Sequence, residues 1–196
     1  MLELVARTNQ KLLVTNRQME ILVGCILGDA YISPRGQIQI MHSHKQLSYI
    51  LWKYKELQSI AYGFPTKVDR YNKKYQKVYV AYRFWLRQYF RPYRYLFYPD
   101  GKKIFPTGIE KYFTSLSLAV WYMDDGNFSD NKNVKVAVDG FDWETREAIR
   151  NFLFRKFILK STLHNNGKMR ISNKSLPRFF EIVSPYIHSS MKYKIP

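Results

Sequence analysis

Cysteine occurs once, at Cys25, and the four histidines are scattered at positions 42, 44, 164 and 188. A lone cysteine closes no internal disulfide, and with these histidines it cannot be written into a structural zinc site of ordinary ligand spacing. His42 and His44 share a face if their segment is a strand, and read there as surface or nucleic-acid-facing groups rather than metal ligands. No window approaches the ~18 to 20 continuous apolar residues of a spanning helix, and Met1 to Arg17 lacks the basic, apolar, small-residue order of a secretory signal. A reducing compartment fits, either a bacterial cytoplasm or an organelle such as a mitochondrion or chloroplast. Acidic residues are scarce as well: 15 Asp and Glu face 32 Lys and Arg, a net charge of +17. Such self-repulsion calls for a polyanionic partner, nucleic acid before an acidic membrane surface.

What is present is one segment written twice. Leu22-Val-Gly-Cys-Ile-Leu-Gly-Asp29-Ala30 and Leu118-Ala-Val-Trp-Tyr-Met-Asp-Asp125-Gly126 are apolar helical runs that each end on an acid, with Asp29 and Asp125 separated by 96 residues. That spacing is close to half the chain, so the acids are candidates for equivalent positions about a pseudo-two-fold axis. The first helix is expected over 18–29 with Asn16 as its cap, and the second over 114–124. Gly24 and Gly28 share one face, and small residues let a second helix come close; Val120 and Asp124 stand at the matching positions of the second copy, so that contact should be asymmetric.

After each acid the period changes to alternation, at Ile38 and Ile40 and again at Val134, Val136 and Val138. Further strands are expected at 67–71, 77–83, 162–164 and 168–172, with Asn165-Asn166-Gly167 as a hairpin turn. Helices are expected near 45–61, 86–97, 143–159 and 175–184. The fold class is therefore α+β: two αββαββα halves whose helices cover one face of an antiparallel sheet and leave the other free. No low-complexity linker separates them. The strongest punctuation, Tyr98 to Lys103 and Pro106-Thr-Gly108, divides a first repeat at 18–106 from a second at 107–196, behind an N-terminal extension at 1–17.

If the two helices cross side by side, both carboxylates emerge at one end. An aspartate at a helix C-terminus is commonly a turn residue, and its charge opposes the helix dipole there; duplication of the context favours function. Paired carboxylates with a backbone carbonyl and phosphate oxygens suit Mg2+, with Mn2+ able to substitute, and such ions can support phosphodiester hydrolysis. Gly28 and Asp124, one residue before each acid, complete the metal-binding candidates.

These features resemble the LAGLIDADG homing endonucleases, in particular the single-chain members with two motifs. Asp29 and Asp125 match the motif's acidic eighth positions, while Leu27 and Met123 replace its first acid and Ala30 its final glycine in the first copy. The resemblance implies motif helices at the interface between halves, metal on the two acids, sheets straddling the DNA major groove as a saddle, and a monomer that cuts both strands of its target site. Lys103-Ile-Phe-Pro106 and Lys194-Ile-Pro196 close the two halves, and Lys103 and Lys194 resemble the family's active-site lysines, with Lys102 and Lys192 as neighbours in register.

Alternating polar side chains on a two-stranded ribbon can reach base edges in the major groove. The candidate DNA readers are Arg35, Gln37, Gln39, Lys67, Arg70 and Arg83 in the first half, and Ser129, Lys135, Asp139, His164, Lys168 and Arg170 in the second. The aromatic cluster from Tyr79 to Tyr98 fits core packing. The alternatives are a maturase that assists splicing of its intron RNA and a DNA-binding regulator without catalysis.

Overall fold

The computed structural model describes residues 1–5, 10–130 and 132–196. The chain opens with a hairpin of β1 (Leu2–Val5) and β2 (Lys11–Val14). Helix α1 (Asn16–Leu27) begins under a capping box in which Thr15 accepts from the Gln18 backbone and the Gln18 side chain closes back on Thr15, so Thr15 rather than Asn16 is the cap. There follow β3 (Tyr31–Ile32), β4 (Ile38–Ser43), α2 (Leu47–Leu57), β5 (Ala61–Asn72), β6 (Lys77–Leu86) and α3 (Arg91–Phe97). The second half repeats the order with α4 (Ser115–Asp125), β7 (Gly126–Ser129), β8 (Asn133–Ala137), α5 (Trp143–Phe157), β9 (Ser161–His164), β10 (Lys168–Ile171) and α6 (Leu176–Val183).

The two four-stranded antiparallel sheets have matching strand orders, β3-β4-β6-β5 and β7-β8-β10-β9. In each, one side is apolar and buried. Ile38, Ile40 and Phe84 form that side in the first sheet, and Val134, Val136, Met169 and Ile171 in the second. Helix α2 packs on β4, β5 and β6, which leaves the opposite side of the first sheet open.

Helices α1 and α4 make the main contact between the halves. A Cβ added at Gly24 would lie 2.5 Å from the Ser117 carbonyl and 2.7 Å from Val120 Cβ; at Gly28 it would lie 2.7 Å from Asp124 Cβ. Residues 24 and 120, like 28 and 124, are equivalent by the 96-residue spacing. Equivalent residues that touch each other mark the axis of a two-fold contact. The contact is asymmetric because each glycine makes room for a larger partner. Ser117 Oγ donates to the Glu20 carbonyl at 2.8 Å and Thr114 Oγ1 to the Glu20 carboxylate at 2.9 Å, fixing the crossing at its other end. Gly28→Leu is expected to cost ~1 to 3 kcal/mol or more by overpacking; a wild-type melting temperature would contradict the contact.

Three differences from the sequence reading have physical causes. Strand β5 starts at Ala61, well before Lys67, because it is an edge strand that tolerates Pro65 and carries a bulge between Tyr62 and Thr66. It shortens α2, whose ends tighten into 3-10 turns at His44–Gln46 and Gln58–Ile60, and β6 likewise displaces the start of α3 to Arg91. Finally, the N-terminal hairpin, to which the resemblance assigns no role, packs on the fold: Leu4, Leu12 and Val14 join the core.

Candidate active site

The C-terminal ends of α1 and α4 lie together because the glycine face brings the axes close. The chain leaves α1 through Gly28, so Asp29 stands just beyond the last turn, exposed, while Asp125 is the half-buried last residue of α4. Partial desolvation and the charge of Asp124 raise Asp29 above the usual carboxylate range. Burial, with Asp29 and Asp124 nearby, pushes Asp125 up to about 7. Like charges have been crowded where a helix dipole also disfavours them, and a cation relieves both effects. Asp125 accepts a bond from Trp121 Nε1 at 3.3 Å.

Each motif helix is capped by the late lysine of its own half. Lys103 Nζ donates to the carbonyls of Leu27 at 2.9 Å and Gly28 at 3.0 Å, and Lys194 Nζ to the carbonyl of Met123 at 2.5 Å. The neighbours Lys102 and Lys192 are exposed. Burial lowers Lys103 to about 8 and also lowers Lys194, the nearby aspartates opposing the shift in both. Two ammonium groups thus flank two carboxylates.

Asp124 differs from its place among the metal-binding candidates. Its carboxylate is sealed in, accepting from Lys53 Nζ at 2.7 and 2.8 Å and from the Tyr49 hydroxyl at 2.9 Å. Lys53 itself is fully buried; burial works against its charge, but Asp124 outweighs it and holds the ammonium protonated. His42 lies inside the same cluster, its Nε2 3.0 Å from Lys53 Nζ and its Nδ1 3.6 Å from Asp29 Oδ2. Burial and Lys53 lower its pKa to about 3. It is a buried neutral imidazole, not the surface group expected from its strand. Although Asp29, His42 and Asp124 lie close enough to bracket an ion, the Lys53 ammonium already fills the place between His42 and Asp124. These residues left one signal in the sequence: Lys53 sits on the apolar stripe of α2 with Tyr49, Ile50 and Leu57, where an uncompensated charge is out of place.

The candidate readers divide by strand register. Gln39 pairs with Trp85 and Met41 with Arg83, which in turn pairs with Thr66, so Gln39 and Arg83 share the open face. Arg70 is in phase with them, Gln37 precedes Gln39 by two, and Arg35 is exposed in the β3–β4 loop. Gln39, Arg70 and Arg83 line a groove of about 540 Å³. Lys67 does not belong with them. It pairs with Tyr82, the partner of buried His42, and therefore points to the other face, as its odd spacing from Arg70 requires. In the second sheet Lys135 pairs with Arg170 and His164 with Lys168, on the same face as Ser129. Asp139 lies beyond the end of β8 and is exposed.

Comparison with known proteins gives this arrangement a setting. The sequence model of the LAGLIDADG DNA endonuclease family matches residues 19–179. The chain belongs to that family. A solved structure described as the homing endonuclease I-WcaI bound to its DNA recognition sequence superimposes with a TM-score of 0.83 at 29% identity, covering 94% of this chain and 88% of that one. A probable intron-encoded endonuclease 1 of Wickerhamomyces canadensis is 32% identical, over 91% of this chain and 83% of that protein. The cytochrome b mRNA maturase bI2 of Debaryomyces hansenii is 29% identical, over 90% of this chain and 72% of that protein. The chain spans 47% of the length of several other curated relatives it matches. Among the described residues no helix is long and apolar enough to cross a membrane.

Members of the LAGLIDADG family work with divalent cations, and the donor set here fits one. Asp29 and Asp125 offer oxygen ligands of the kind Mg2+ prefers, and the Lys53 ammonium is bonded to Asp124 rather than to either of them. The Asp124 carboxylate is committed to Lys53 and Tyr49, whereas the Gly28 carbonyl, which receives Lys103, keeps a second lone pair.

Proposed function

We propose that the protein is a single-chain, two-motif homing endonuclease that cuts both strands of a specific duplex DNA site with a divalent metal, and acts as a monomer to promote mobility of the intron that encodes it. The observation that carries this reading is the convergence of Asp29 and Asp125 at one end of the glycine-faced helix pair, each flanked by the late lysine of its half. The placement of the open sheet faces supports a DNA saddle, and the charge of +17 supplies attraction for the phosphates.

Asp29 and Asp125 would hold the metal, magnesium or in its place manganese. Such a cation, when bound, activates water and stabilises the departing oxygen in phosphodiester hydrolysis. Lys103 and Lys194 neutralise charge beside the scissile phosphates and tie the helix ends in place. A water oxygen bonds to phosphorus and the bond to O3′ breaks, leaving 5′-phosphate and 3′-hydroxyl ends. A duplex library containing uninterrupted host-gene sequence, incubated with the full chain in magnesium and in EDTA, tests the proposal. Staggered double-strand breaks at one sequence, in magnesium alone, are expected; no cleavage of any duplex rejects it.

Affinity should divide between charge and readout. Arg83→Ala is expected to relax specificity locally by ~1 to 3 kcal/mol, whereas loss of a lysine that meets only phosphate weakens all duplexes alike and flattens the salt slope by about one unit. Equal affinity for the selected and a random duplex across a salt titration would contradict a base-reading face. A maturase activity has its own support in the bI2 relative, which matches along 90% of this chain. Magnesium-dependent splicing of the intron RNA, measured with and without the protein, tests it.

A further inference from the structure

We propose that His42 is a positioning residue for Asp29, held by a buried chain that begins in the other half of the molecule, and that this makes the two strand cuts unequal. The inference rests on the endonuclease reading and on Asp29 as one of its two acids.

The chain runs Asp124, Lys53, His42, Asp29. An ammonium has protons and no lone pair, so Lys53, 2.7 and 2.8 Å from the Asp124 oxygens and 3.0 Å from His42 Nε2, donates to both partners. His42 Nε2 is therefore the acceptor, and the ring proton resides on Nδ1. That N–H lies 3.6 Å from Asp29 Oδ2, a gap of the kind that closes when substrate draws an active site together. The imidazole packs on Tyr49, ring centroids 5.1 Å apart, and Tyr49 is bonded to Asp124 as well. Tautomer and ring position are thus both fixed by residues that never meet DNA.

Among the described residues the second half has no such chain. At the 96-residue spacing, His42 corresponds to Val138, Lys53 to Ile149, and Asp124 to Gly28. Val138 and Ile149 are buried apolar residues. Asp125 is served instead by the Trp121 indole N–H at 3.3 Å, where the first half has Cys25. A near-symmetric pair of acids is oriented by two different devices, an imidazole tied to a cross-half ion pair and an indole on the acid's own helix.

The test uses the full chain and a duplex recovered from the cleaved library, each strand carrying its own end label, in single-turnover reactions with magnesium. His42→Leu, which removes the donor, is expected to slow one strand's cut by about tenfold or more and leave the other within about threefold, so that nicked duplex accumulates. His42→Asn, whose amide places a donor near the position of Nδ1, should restore most of the lost rate. Binding of the same duplex in EDTA should be unchanged by either substitution. On the wild-type protein, long-range proton–nitrogen NMR of the His42 ring should find the proton on Nδ1, a readout that holds even if the variants fold poorly. Equal slowing of both cuts, unchanged rates in His42→Leu, or a proton on Nε2 would each overturn the proposal. An inactive Asp29→Asn control beside a normal His42→Leu confines the failure to the positioning chain, whereas wild-type protein that cuts no duplex removes the endonuclease reading itself.

Discussion

Asp29→Asn and Asp125→Asn are each expected to lower single-turnover double-strand cleavage by about a thousandfold, the equivalent of ~4 kcal/mol of transition-state stabilisation. Asparagine keeps the shape of the side chain and removes the charge that would hold the metal. Binding should survive, because the sheet faces provide it, and loss of a carboxylate that repels phosphate should leave affinity equal or slightly higher. The helix ends should survive too, since Lys103 and Lys194 grip backbone carbonyls rather than the acids. Strand-resolved cleavage and anisotropy on one duplex separate these effects. Wild-type cutting by both variants would remove the pair from the mechanism.

Lys53→Met should have the largest effect on stability. Lys53 and Asp124 are paired with both side chains at 0% exposure, and removing one partner of such a pair strands the other as a buried charge. The expected cost is ~3 to 5 kcal/mol, which for a chain of this size lowers the melting temperature by about 6 to 20 °C. Removing both charges is different. Lys53→Met with Asp124→Ala leaves no unpaired charge, only the neutral His42 and Tyr49 groups that had bonded to the pair, so the double variant should recover part of the loss. Urea denaturation of wild type, both single variants and the double variant gives the coupling directly. A single variant as stable as wild type would mean that water reaches the pair.

The αββαββα order was legible because its signals are periodic: alternation at Ile38–Ile40 and Val134–Val138, and an apolar helical run before each acid. Gly24 and Gly28 were legible as a close-packing face because glycine in a helix interior has a cost that only a neighbour explains. Strand ends were less so. An edge strand accepts Pro65 and a bulge, so β5 begins at Ala61, well before the expected strand at 67–71. Duplication separates an acid or a lysine from many similar ones, and the residues it singles out, Asp29 with Asp125 and Lys103 with Lys194, lie together at the ends of α1 and α4, where the roles proposed for them await the cleavage tests. The burial of His42 and the Lys53–Asp124 pair were not legible because their meaning is pairwise and crosses the halves; nothing local to Lys53 announces a carboxylate 71 residues away. Lys67 was misassigned for a simpler reason, its parity against Arg70.

The N-terminal hairpin bears on how modules of this kind can be exchanged. The segment shared with the family runs from 19 to 179, but cohesion does not stop at those borders. Upstream, Leu4, Leu12 and Val14 are buried, and Thr15 closes the first turn of α1. Downstream, Met191 is buried and Lys194 grips α4. A chimera spliced at the edges of shared sequence would keep both acids yet uncover apolar surface at one end and free a helix terminus at the other. A crossover after Lys103, in the 104–107 stretch that joins the halves, leaves α1 with the lysine that caps it and each half with the terminal segment that completes it.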